Sequence, residues 1–125
     1  MMTQKIALKV DEPQIPDEWW VASGMLDHVK VSDAYPTNFI REIRFVVISE
    51  IEPIRRSPGT RDFDEIRMIK ILRGFSNQSA IPPIFVNEKI QGNYKYVVSN
   101  GFHRYWATRS VGYVKVPVIV IPTVV

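Results

Sequence analysis

The chain has 125 residues, 46% of them hydrophobic and 23% charged, and a formal net charge of +3. That balance fits one globular domain with a single real core and excludes a disordered or fibrous chain. No apolar run approaches the roughly 20 residues that span a bilayer, no signal-peptide core follows Met1, and the absence of cysteine removes disulfides and thiolate metal sites, so a cytoplasmic protein with no membrane contact is expected. The surplus of 16 Lys and Arg over 13 Asp and Glu attracts phosphates but falls short of a dedicated nucleic-acid-binding stripe. Small anionic partners are expected, with DNA as the alternative.

Residues 1–40 are expected to form an N-terminal extension packed on a domain made by residues 41–125. Ile6, Leu8 and Val10 alternate with polar residues as a short strand does, and Pro16-Asp17-Glu18 suits the first turn of a helix over about 17–26. Trp19, Trp20 and Tyr35 pack on the domain, line a pocket or form an oligomer contact; packing is the default for aromatics of this size. His28 has no metal-ligand partner at a recognisable spacing, and no metal site is expected.

Glu42 to Ile48 reads as a strand with apolar residues on both faces, which predicts an interior position. Arg55 to Arg61 is a basic turn around Pro58-Gly59. Asp62 is expected to cap a helix whose apolar face is Phe63, Ile66, Ile69 and Leu72 and whose stop is Gly74. A polar connector over 75–80 leads to a strand starting at Ile81-Pro82-Pro83, and a hairpin turn over 87–93 leads to a second strand, Tyr94 to Val98. Asn100-Gly101 then reverses the chain into a short helix over 102–111, Gly112 stops it, and a last strand runs from Val116 into an apolar tail. The sum is an α+β fold, a small mixed sheet of about four or five strands with packed helices.

The Asn100-Gly101 turn carries the chemistry. The first amides of a helix have no intrahelical partner and sit at the positive end of its dipole, so Asn100, Gly101, Phe102, His103 and Arg104 form a candidate phosphate site, with Arg104 offering a planar donor fork and His103 a further donor. An ordinary turn followed by a solvated helix start is the bland alternative for so short a string.

Residues 81–121 resemble the C-terminal half of the ParB N-terminal domain and sulfiredoxin superfamily. Pro82, Pro83, Ile84 and Val86 match its first motif, Tyr94, Gly101, His103, Arg104, Tyr105 and Ala107 its second, and Val116-Pro117 its third. The resemblance implies a nucleotide site for ATP, ADP or CTP and a small mixed sheet. Sulfiredoxins place their nucleophilic cysteine where this chain has Phe102, so their chemistry is excluded. Where sulfiredoxins have I-R-P beside the phosphates, this chain has Ile51-Glu52-Pro53. Glu52 thereby becomes the candidate catalytic group, as a general base or an oxygen ligand for Mg²⁺ in phosphoryl transfer or nucleotide hydrolysis, or else a plain loop residue. The same alignment makes Arg61 and Lys70 candidate nucleotide-binding residues, with Arg67 left to a solvated helix face. The alternative function is a DNA-associated partition- or nuclease-like module, using a basic face of Arg41, Arg44, Arg55, Arg56 and Arg61.

Overall fold

A computed structural model describes residues 5, 6, 8, 11–30 and 32–122. In chain order the elements are α1 (Asp17–Ala22), a 3₁₀ turn at Met25–Asp27, β1 (Arg44–Val47), a second 3₁₀ turn, β2 (Ile51–Glu52), α2 (Glu65–Ser76), β3 (Ile84–Glu88), β4 (Tyr96–Asn100), α3 (Phe102–Val111) and β5 (Lys115–Ile121). The strand expected over 6–10 and the end of the C-terminal tail include residues outside the described set.

The β-branched segments pair as one five-stranded mixed sheet in the order β1-β5-β3-β4-β2. Strands β3 and β4 form the expected antiparallel hairpin. Strand β5 lies parallel to β3 because α3 carries the chain across the sheet between β4 and β5. One face of the sheet, with Val46, Ile84, Val86, Val98, Val116 and Val118, closes on Met68, Leu72 and Phe75 of α2 and on Trp106, Ala107 and Val111 of α3. Ile15, Trp20, Met25 and Tyr35 belong to that same core, so the N-terminal segment contributes buried side chains to it.

Four expectations are corrected. Strand β1 is an edge strand: it pairs only with β5, and Phe45 stays 56% exposed. Its apolar residues on both faces reflect one buried side chain, Val46, and an uncovered outer face. The cap of α2 is Asp64, whose Oδ2 accepts from Arg67 N–H at 2.8 Å, and the buried stripe is Met68, Leu72 and Phe75. Steps of three residues drift by about 60° each around a helix of 3.6 residues per turn, so the spacing 63, 66, 69, 72 winds away from any one face, whereas 68, 72, 75 stays on it. Ile66 is accordingly 81% exposed. Finally, Gly74 lies inside α2, because Ile81 packs where a Cβ on residue 74 would stand.

Candidate functional site

Strand β4 ends at Asn100, and Gly101 makes the corner into α3 with φ +125°. A side chain there would be strained, and its Cβ would stand 3.1 Å from Ile84 Cγ2 and 3.2 Å from Arg104 Nη2. Glycine thus lets the Arg104 guanidinium fold back over the corner. No side chain caps α3, and its first turn holds no acidic residue. Tyr105 is the first to donate within the helix, to Gly101 O at 2.8 Å, which leaves the amides of residues 102–104 ahead of any intrahelical acceptor.

This open end faces a cleft of about 560 Å³. Arg56, Arg67, Lys70 and Arg104 line it together with Ser99, Asn100 and His103, against an apolar wall that includes Ile54, Ile71, Ile81, Pro82 and Phe102; among the described residues no Asp or Glu lines it. Among the described residues, Arg67, Lys70 and Arg104 form no ion pair. Burial lowers the pKa of the Arg104 guanidinium, Tyr35 acts in the opposite direction, and Arg67 adds to the lowering. Cations gathered without carboxylates, one of them withdrawn from water, raise the local potential, and a bound anion relieves it. Arg56 donates to Asp62 O at 3.1 Å and lies over the Phe102 ring at 4.2 Å, tying the loop after β2 to the mouth of the cleft.

His103 is 5% exposed, and its Nε2 accepts the backbone N–H of Asp64 at 2.9 Å. An acceptor nitrogen carries no proton, so the imidazole is neutral with its hydrogen on Nδ1. Burial, then Arg67 and Arg56, push its pKa down to about 4, Asp64 opposing them. His103 therefore stands at the cleft as a neutral ring, and of the donor role expected of it only the Nδ1–H is left.

The remaining candidates separate. Lys70 lines the cleft. Arg61 does not: its side chain is 80% exposed and stands 3.8 Å from Asp64 Oδ1. Glu52 does not either, contrary to its expected place beside the phosphates. It pairs in register with Val97 of β4 and takes Lys89 Nζ at 3.0 and 3.1 Å. Alternate residues of a strand face opposite ways, so Glu52 shares the side of Val97, while Val98 turns toward the core. Mg²⁺ takes oxygen ligands, usually carboxylates and phosphates, and the residues of this cleft do not fit a protein-held Mg²⁺. Among the described residues there is no group of three or more His, Cys, Asp and Glu able to hold a metal. The five arginines proposed as one DNA-binding face are divided, Arg41 and Arg44 beside edge strand β1 and Arg55, Arg56 and Arg61 beyond the opposite edge strand β2. Arg67, left above to a solvated helix face, and Arg56, assigned above to a DNA-binding face, both line the cleft. Arg67, Lys70 and Ile71 are spaced to share one side of α2, a signal visible once the buried stripe is phased correctly.

Fold and cleft define a small α+β domain whose uncapped helix start faces a basic cleft. The chain belongs to the ParB N-terminal domain family, whose model matches residues 33–123. That match begins before the domain boundary expected at residue 41 and includes Tyr35.

Among solved structures, the chain is similar to the C-terminally truncated chromosome-partitioning protein ParB from Caulobacter crescentus, complexed with CTP-gamma-S: 21% identity, TM-score 0.51, 67% of this chain and 46% of that one. It thus spans under half of that ParB, and at this identity the likeness is one of fold. Sulfiredoxin from Arabidopsis thaliana aligns at 20% identity and TM-score 0.49, over 66% of this chain and 88% of that one. A conserved hypothetical protein from Pyrococcus furiosus aligns at 18% identity and TM-score 0.49, over 70% of this chain and 34% of that one. No curated protein sequence matches the chain. Among the described residues no helix is long and apolar enough to cross a membrane.

Proposed function

We propose that this chain is a nucleotide-binding domain, and that the cleft at the start of α3 holds the phosphates of a nucleoside triphosphate. The observation that carries this reading is the company around the uncapped helix start: Arg56, Arg67, Lys70 and Arg104, with no carboxylate among them. Backbone amides of residues 102–104 and the Arg104 fork would take phosphate oxygens, and the apolar wall of Ile54, Ile71 and Ile81 is suited to ribose or base. CTP is the first nucleotide to test, since the similar ParB was solved with a CTP analogue, and ATP is the second.

The reading is of binding rather than turnover. With Glu52 engaged by Lys89 and no acid in the cleft, no side chain there is suited to serve as general base for phosphoryl transfer or hydrolysis.

Titration calorimetry with CTP and ATP tests it, with release of inorganic phosphate followed in parallel. Arg104→Ala is expected to weaken binding by about 2 kcal/mol, roughly thirtyfold, as hydrogen bonds to charged groups are worth about 1.5–3 kcal/mol. No binding of either nucleotide at millimolar concentration would overturn the proposal. Duplex DNA in the same titrations tests the DNA-associated alternative, which requires binding that falls steeply with salt and is indifferent to Arg104→Ala.

A further inference from the structure

The starts of α2 and α3 are joined by a hydrogen bond that neither helix needs for its own closure. His103, in the first turn of α3, accepts from the Asp64 N–H at 2.9 Å. Asp64 is the N-cap of α2, and its Oδ2 accepts from Arg67 N–H at 2.8 Å. The relay therefore runs from the phosphate end of α3 through a cap residue to the backbone of Arg67, and α2 carries Lys70 one turn further on. Phe63 and Phe102 hold the imidazole in place, with ring centroids 5.6 and 5.7 Å from it. The charged groups facing it are Asp64 and Arg67 from α2 and Arg56 from the loop after β2.

We propose that His103 is a positioning residue for this site: by accepting the Asp64 N–H it fixes where α2 begins, and so how Arg67 and Lys70 stand relative to the first amides of α3. The inference rests on the nucleotide-binding reading above and deepens it. A partly buried N–H left without its acceptor would loosen the start of α2 from α3. The cations it carries would then move off the anion, although His103 itself need not touch the ligand. A hydrogen-bond acceptor in the right place is all the role requires. A direct phosphate donor, by contrast, requires an N–H.

The test compares the unsubstituted chain with His103→Gln, which offers a carbonyl oxygen near the position of Nε2, and His103→Ala, which offers nothing. CTP and ATP affinities are measured together with hydrogen exchange of the Asp64 amide. His103→Ala is expected to lose about tenfold in affinity, the order of one buried hydrogen bond, and to speed exchange at Asp64; His103→Gln is expected to restore most of both. Equal losses in Gln and Ala variants, wild-type affinity in the Ala variant, or an unchanged Asp64 exchange rate would each overturn the proposal. If the Ala variant does not fold, His103→Gln against wild type decides alone: retained affinity with slow Asp64 exchange supports the role, and lost affinity sinks it. Failure of the wild-type chain to bind either nucleotide would instead overturn the nucleotide reading, and with it a positioning role toward that ligand, while Asp64 exchange would still report whether the tie between the helices exists.

Discussion

Helices α2 and α3 begin within hydrogen-bonding reach of each other and solve the same problem in opposite ways. The start of α2 is closed by its own chain: Asp64 accepts from Arg67 N–H, and Glu65 adds a negative charge in the first turn. The start of α3 has glycine for an N-cap, no side-chain cap and no acid, and basic side chains converge on it. Every helix must satisfy its leading amides somehow. One end is closed internally, and the neighbouring end is left open and ringed by cations, which is what the proposed nucleotide site requires.

Four experiments break or sharpen this contrast, taken from the largest expected effect to the smallest. Acid attacks the link between the two ends. His103 has a folded pKa of about 4 against an ordinary 6.5, so below pH 6.5 the unfolded chain takes up a proton that the folded chain refuses. Its stabilising contribution is complete above pH 6.5 and is lost as pH falls toward 4, by on the order of 3 kcal/mol. His28, buried beside Tyr113, has a pKa lowered by burial and by Lys30 and acts in the same direction. Denaturant midpoints measured from pH 7 to pH 4 should fall for wild type, and should fall less for His103→Gln.

Gly101→Ala fills the corner of the open end. With φ at +125° and Arg104 Nη2 3.2 Å from the new Cβ, it should cost about 2 kcal/mol of stability. Displacement of the guanidinium should weaken CTP binding as well, read by thermal melts and calorimetry on the same sample. Asp64→Ala opens the closed end. Loss of the cap is expected to cost about 1 kcal/mol of stability, with a smaller loss of affinity because the N–H that His103 accepts is kept. Glu52→Gln touches neither end: its partly exposed pair with Lys89 is worth at most about 1 kcal/mol, and nucleotide affinity should not change. A collapse of binding in that variant would return the carboxylate to the site.

The start of α3 was legible because its signals are local. Asn100-Gly101 marks a corner, Gly112 a stop, and the residues between them form the helix expected, so residues 100–104 come together along one cleft. The rest of the site depends on long-range placement. Whether Arg67 faces the cleft depends on the helical phase of α2, and an apolar count that included exposed Ile66 set that phase wrongly. Glu52 was placed by position along the chain, whereas its surroundings follow from the register of β2 on β4, which no pattern within residues 51–53 encodes. His103 was read by its type, as a donor beside a phosphate; the acceptor role comes from the Asp64 amide, distant in sequence and supplied by packing. The sheet was recovered in kind and strand number, but the edge position of β1 was not, because an apolar strand reads alike whether its outer face is covered or bare.

One hydrogen bond from the N-terminal segment bears on how this domain can be cut. Tyr35 is fully buried against Phe75 and Tyr113, and its hydroxyl donates to the carbonyl of Pro82, a residue of the cleft wall. The smallest transplantable unit therefore starts upstream of Tyr35, and a graft beginning at residue 41 would carry the cleft at the start of α3 with one wall unpinned.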